Sequence, residues 1–253
     1  MNKYKDKALA ARRKVLTMIH KAGTSHIASN FSVIDIATVL YENLKPGDQV
    51  VWSKGWAAAT IYYFLAQQGK IPTEDLEKFP EFPYIGLAET SVNGVLCNGG
   101  AVGHGTPVAT GIALGKKRAG DPGRVYCVMS DGELNEGTVW ESVMVASHHK
   151  LNNLVFVIDV NKWQAMGKTS DVIDLEPIEK RFGGFGFFWL RCNGHNYDEL
   201  HSVFNNYKSG DAPMVIICDT IKGKGVSWME NHLLYHYKNI DDVAYKSAMK
   251  ELV

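Results

Sequence analysis

Three segments of this chain carry residues suited to coordination and proton chemistry, and each follows an apolar run. They are SDGELNEG (Ser130–Gly137) after VYCVM, DVNKW (Asp159–Trp163) after LVFVI, and DTIKGKG (Asp219–Gly225) after MVIIC. Asp131 offers a carboxylate beside Gly132, where the missing side chain lets a ligand approach the backbone closely. Asn161 offers a neutral amide oxygen. With a main-chain carbonyl these make a hard oxygen donor set suited to Mg²⁺, which normally completes its octahedron with phosphate oxygens and water. The set points to a metal-bridged diphosphate. Singly, Asp-Gly is most often a turn and an Asn after a strand most often forms an Asx-turn. Placement on consecutive strand ends is what carries the reading.

Such segments converge only if the strands run parallel, because ligands of open α/β sheets lie outside the carboxyl ends of the strands. The three apolar runs lack polar alternation, as strands covered on both faces do. With two further runs, Gln49–Ser53 and Phe187–Cys192, they alternate with helical patterns. The expected fold is α/β, a doubly wound parallel sheet with helices on both faces.

The first helix places Ala8, Leu9, Val15, Leu16 and Ile19 on one face and stops at Gly23. A second is expected from an N-cap at Ser32, with Asp35 as capping partner and Val33, Ile36, Ala37 and Leu40 inward. Further helices are expected over Trp56–Gln68, Thr106–Ala119, Gly137–His149, around Glu176–Phe182, Tyr197–Tyr207 and Asp241–Leu252. From Pro80 to Gly105 the chain is rich in Gly, Pro and Asn, which reads as a long functional loop. His148 and His149 read as residues at a helix end, and His195 as one that orders a loop or caps the helix after it. No linker or internal repeat divides residues 1–253, so one domain is expected.

Lys+Arg and Asp+Glu each number 27, so the net charge is zero and the electrostatic case for a nucleic-acid or membrane-surface partner falls away. No apolar stretch is long enough to span a bilayer, and a cytoplasmic protein is expected. Cys97, Cys127, Cys192 and Cys218 are widely spaced without a C-x-x-C pair, and read as reduced thiols acting as small hydrophobes.

SDGELNEGTVWE followed by the Asn of DVNKW resembles the thiamine-diphosphate motif of transketolases, a GDG with a downstream Asn. GGAVGHG (Gly99–Gly105) is similar to that family's TGSLGQG loop, KAGTSHIAS to its KSGHPGA stretch, and GVSWMEN followed by His236 to a later motif. The resemblance covers nearly the whole chain, in the family's order. Transketolases are usually much longer, so it implies the diphosphate-binding half alone: the N-terminal subunit of a split transketolase. The pyrimidine-binding and C-terminal domains would lie on a separately encoded partner, giving a heterotetramer that acts on sugar or ketose-like substrates.

Residue by residue, the resemblance implies that Asp131, Asn161 and the carbonyl of Trp163 hold Mg²⁺. Gly100, Val102 and His104 would approach thiamine diphosphate, the first two through main-chain atoms. Gly132 and Glu133 would present backbone N–H groups to the diphosphate. His26 and His236 match active-site histidines that move protons, and Glu136 a glutamate in a carboxylate network across the subunit interface. Three positions depart from the family pattern: Trp56 in SKGWA and Leu87 stand where histidines are expected, and His104 replaces a Gln. They imply a donor site with fewer polar contacts.

The activity implied is transfer of a two-carbon ketol unit from a ketose-like donor to an aldehyde. The alternatives are a 2-oxoacid decarboxylating enzyme on the same cofactor, of the E1 α or acyloin synthase kind, and a non-catalytic assembly protein. ELNEGTVWE and GVSWMEN favour the transketolase side, and a scaffold has no physical need for both Asp131 and Asn161.

Overall fold

The computed structural model describes residues 3–205 and 210–253. Five strands, β1 (Gln49–Trp52), β2 (Val125–Ser130), β3 (Leu154–Val160), β4 (Phe188–Asn193) and β5 (Met214–Asp219), form one sheet in the order β1-β2-β3-β5-β4. Every pairing is parallel. The three continuous apolar runs are β2, β3 and β5, the interior strands.

Alternate residues of these strands feed two cores. Tyr126, Val128, Val155, Val157, Met214 and Ile216 face one side, where α1 (Lys3–Ala22), α2 (Ile27–Asn43), α3 (Ala58–Gln67), α8 (Tyr197–Asn205) and α9 (Asp242–Glu251) pack. Cys127, Met129, Phe156, Ile158, Val215 and Ile217 face the other, covered by α4 (Gly105–Arg118), α5 (Gly137–His148) and α7 (Ile178–Gly184). The doubly wound architecture follows from this two-sided burial. A short α6 (Thr169–Ile173), which the apolar periodicity does not announce, precedes α7. The expected end of the Tyr197 helix at Tyr207 lies outside the described residues. The four cysteines are free thiols; Cys97 is half-buried and the others are buried.

The second helix corrects the expectation. α2 begins at Ile27, not after Ser32, and is buried from Ile27 to Tyr41. A helix buried all round shows no one-sided stripe, so its start could not be read from periodicity. Ser32 and Asp35 lie inside it and bond to distant partners instead of capping. Ser32 Oγ donates to Asp159 Oδ2 (2.6 Å). Asp35 takes a bidentate pair from Arg12 (2.8 and 2.7 Å), a bond from the Tyr197 hydroxyl (2.8 Å) and one from His195 Nδ1 (2.7 Å). Of the two roles expected of His195 the structure shows the ordering of a loop, its Nε2 accepting from Ile221 N (2.8 Å), while the helix is capped by Asn196, whose Oδ1 accepts from Asp198 N and Glu199 N.

Burial alone would push the Asp35 carboxyl up, but Arg12 and His195 hold it well below the ordinary carboxylate range. Its stabilisation is therefore present above the unfolded value of about 4 and is lost as pH falls towards the depressed folded value. Asp35→Ala leaves the Arg12 guanidinium buried without its counter-charge and should cost about 3–5 kcal/mol at pH 7. Urea unfolding checks this, and the gap to the parent protein should shrink below about pH 4.

Candidate active site

Behind β1 the chain turns through Ser53 and Lys54 at the carboxyl edge of the sheet. Lys54 Nζ forms a buried ion pair with Asp159 and reaches Ser32 Oγ (3.0 Å). Thr220, just beyond β5, donates to the other oxygen of Asp159. Burial opposes ionisation of Asp159, but Lys54 and the hydroxyls hold its carboxyl below the ordinary range. Asn161 is buried two residues on; its Oδ1 accepts from Trp163 N (3.2 Å) and its Nδ2 lies 3.5 Å from Asp159 Oδ2.

Glu133 does more with its side chain than the sequence suggested. Its carboxylate accepts from Ser130 N (2.9 Å), Gly103 N (3.1 Å) and the Ser53 hydroxyl, while Ser53 Oγ accepts from Gly105 N (3.2 Å). Burial raises the Glu133 pKa against these bonds. One carboxylate thus fastens the glycine-rich loop to the loops after β1 and β2. The fit demands glycine, because a Cβ on Gly105 would sit 2.4 Å from Ser53 Cα and one on Gly55 2.3 Å from Gly99 Cα. In this structure the Gly132 N–H is engaged with Asp131 Oδ1 (3.0 Å), and the Glu133 N–H with the Ser130 side chain in a capping box.

A cavity of about 180 Å³ lies over these loops. It brings together His26, Gly100, Val102, Gly132 and Glu133 with Glu136, Asn161, Trp163 and His236. Asp131 is not among its lining residues and instead lines, with Trp163, an adjoining pocket of about 480 Å³. His104 is exposed at the start of α4 and lines neither. Glu136 is exposed at the rim, with Trp56 (38% exposed) and Val102 (40%). Leu87 lies outside the main cavity, in a third pocket that shares His26 and Trp56 with it.

Two buried lysines in the wall, Lys54 and Lys222, escaped the sequence reading, although both stand in the glycine-containing segments SKGWA and DTIKGKG. A lysine just past a strand's carboxyl end was the signal that could have found them. Lys222 is 1% exposed, and its Nζ lies 2.7 Å from His236 Nδ1 and 3.5 Å from the Trp163 carbonyl. Burial and the charge of Lys54 lower its pKa to about 7. Burial, then Lys222, lowers His26 to about 4 and His236 to about 3, so both imidazoles are neutral at physiological pH. The His26 ring stacks on Trp56 (4.3 Å between centroids) and meets His236 edge-on (4.9 Å).

The residues present fit a hard cation. Asp131 is 6% exposed; its oxygens accept from Gly132 N, Lys162 N (2.8 Å) and Thr169 Oγ1 (3.3 Å), and among the described residues no cationic side chain pairs with it. Burial and the nearby charge of Asp159 push its pKa up to about 7. A buried carboxylate in that state is stabilised by a metal ion, and the Asn161 amide and Trp163 carbonyl complete a set suited to Mg²⁺. Among the described residues no group of three or more His, Cys, Asp and Glu side chains offers a site of another kind.

Fold and site together define a class, a parallel α/β domain that gathers a glycine-rich loop, buried carboxylates and buried lysines around a cavity at its carboxyl edge. Residues 4–251 match the family described as transketolase, thiamine diphosphate binding domain, and the chain belongs to that family. It is 32% identical over 97% of its length to one of the subunits of apulose-4-phosphate transketolase from Actinobacillus succinogenes, covering 94% of that protein. It is 31% identical over 95% of its length to the SqwG subunit of 6-deoxy-6-sulfo-D-fructose transketolase from a Clostridium species, covering 93%. The transketolase crystal structure from Campylobacter jejuni superposes on the whole chain with a TM-score of 0.92 at 28% identity, but the chain spans only 43% of that polypeptide. The chain is thus a transketolase-like subunit, and a decarboxylating E1-type reading is not favoured. Among the described residues no helix is long and apolar enough to cross a membrane.

Glu133→Ala should strand the buried Gly103 amide and release the half-buried Ser130 amide, at a cost of about 1–3 kcal/mol. Native-state hydrogen exchange checks it: Gly103 and Gly105 should lose protection far more than Val157 at the centre of β3.

Proposed function

We propose that residues 1–253 act as one diphosphate-binding domain, the subunit of a transferase that moves a two-carbon ketol unit from a ketose-like donor to an aldehyde. The cofactors are thiamine diphosphate and Mg²⁺. The observation that carries this reading is Asp131: a buried carboxylate without a cationic partner among the described residues, bonded by the Lys162 amide of the segment that carries Asn161 and Trp163, and lining with Trp163 a pocket next to the cavity that Lys222 lines.

When bound, thiamine diphosphate supplies the carbanion chemistry that carbon–carbon transfer needs. This chain's residues bind and orient. Asp131, Asn161 and the Trp163 carbonyl hold the metal; Lys222 and Lys54 give positive potential in a site shielded from water, where it counts most. The main chain of Gly100 and Val102 lets the cofactor ring approach. His26, neutral at physiological pH, is able to accept a proton from a substrate hydroxyl. With Lys222 Nζ donating to His236 Nδ1, the neutral His236 ring carries its proton on Nε2 and would donate from there to an oxygen of the bound substrate or diphosphate. Trp56 and Leu87 give the adjoining pocket an apolar wall, which suits a donor with fewer hydroxyls or a modified end.

The cavity is smaller than the roughly 300–1,000 Å³ usual for an enclosed ligand site. A second, separately encoded polypeptide with pyrimidine-binding and C-terminal domains supplies the remaining wall, in a two-fold heterotetramer. Glu136, exposed at the rim, faces that interface.

Asp131→Ala and Asn161→Ala should each abolish Mg²⁺-dependent binding of thiamine diphosphate while circular dichroism shows a folded protein. Unchanged affinity in both rules the assignment out. In the assembled complex, ketol transfer from a ketose without CO₂ release from 2-oxoacids is expected; the reverse pattern supports a decarboxylase.

A further inference from the structure

The segment that carries Lys222 is tied down through its backbone. Thr220 N donates to Val160 O (3.0 Å), Gly223 N to Ala28 O (3.0 Å) and Asn231 N to Lys222 O (2.8 Å). Two further ties come from side chains that line no wall of the cavity. Ile221 N donates to His195 Nε2 (2.8 Å), and Arg12 Nε donates to the Lys224 carbonyl (3.0 Å).

Both side chains converge on one buried carboxylate. Since His195 Nε2 accepts from Ile221, the ring proton is on Nδ1, which donates to Asp35 Oδ2 (2.7 Å). Arg12 grips the same carboxylate with its two terminal nitrogens. Asp35, at the middle of α2, therefore fixes the peptides on either side of Lys222 from two directions. Lys222 has a long stem with several rotatable bonds, and its ammonium is placed only as well as the peptide from which it springs. Misplacement by about 1 Å can cost on the order of 100-fold in a built site.

We propose that His195, fixed by Asp35, is a positioning residue for Lys222: it holds the Ile221 peptide so that the Lys222 ammonium meets the diphosphate from one defined direction. The proposal rests on the reading that the cavity receives a diphosphate.

Trp56 and Trp163 line the cavity, so their fluorescence should follow titration of the full chain with thiamine diphosphate at saturating Mg²⁺. Lys222→Ala and His195→Ala should each raise Kd by roughly tenfold or more. The double variant should bind no more weakly than Lys222→Ala alone, because the two act through one interaction. His195→Gln, whose amide is able to accept from Ile221 N and donate to Asp35, should recover most of the affinity, an outcome a merely bulky or stabilising role would not give. If His195→Ala does not fold, His195→Asn replaces it: a polar amide too short to bridge both partners. A weakened Lys222→Ala with an additive double variant, or with His195 variants that bind normally, overturns the positioning role. An unchanged Lys222→Ala overturns the diphosphate role of Lys222 itself, and the proposal with it.

Discussion

A lysine and a carboxylate withdrawn from water at the carboxyl edge of the sheet, Lys54 and Asp159, set the positions of everything around them. Removing two charges from solvent is expensive, and the mutual attraction offsets that cost only in a well-bonded geometry. Here Ser32 of α2 and Thr220 after β5 complete the hydrogen bonding, so four segments meet at one pair. Three of these segments then deliver a neighbouring residue to the cavity. Ser53 beside Lys54 joins Glu133 and the glycine-rich loop, Asn161 follows Asp159, and Lys222 follows Thr220. Shifting any strand by one residue would break the pair and turn its site residue away.

The two aspartates at this edge sit in opposite environments. Asp159 is paired with Lys54 and held ionised, whereas Asp131, buried and repelled by Asp159, has its pKa pushed up to about 7. Pairs of titratable groups pushed apart in this way commonly divide the roles in a site. The paired carboxylate organises protein; the unpaired one is the group proposed to receive a cation.

The strand runs β2, β3 and β5 were legible because continuous apolar runs have one physical reading when helices alternate with them. That Asp131 and Asn161 lie at one edge was legible because polar residues after such strands converge in a parallel sheet, whereas the side-chain bonds of Glu133 were not. What escaped were residues whose role depends on partners far along the chain. Ser32 and Asp35 read locally as a helix cap, yet their bonds go to Asp159 and to Arg12, His195 and Tyr197. Lys54 and Lys222 were among those that escaped, since burial of a cation is invisible until the anion or cavity beside it is known. His104 stands in a matching motif, yet its side chain is exposed and lies outside the lining of the cavity, which motif position alone does not reveal.

The chain has almost the length of relatives named as transketolase subunits, and less than half that of a one-chain transketolase. The small cavity with an exposed rim at Trp56, Val102 and Glu136 agrees with a site finished by another polypeptide. The most direct test of the account is a crystal structure grown with thiamine diphosphate and Mn²⁺ in place of Mg²⁺, read by the anomalous signal of the metal. The account predicts one strong peak coordinated by Asp131, the Asn161 amide oxygen, the Trp163 carbonyl and the diphosphate. A peak away from all three protein ligands, with the cofactor bound, would contradict it.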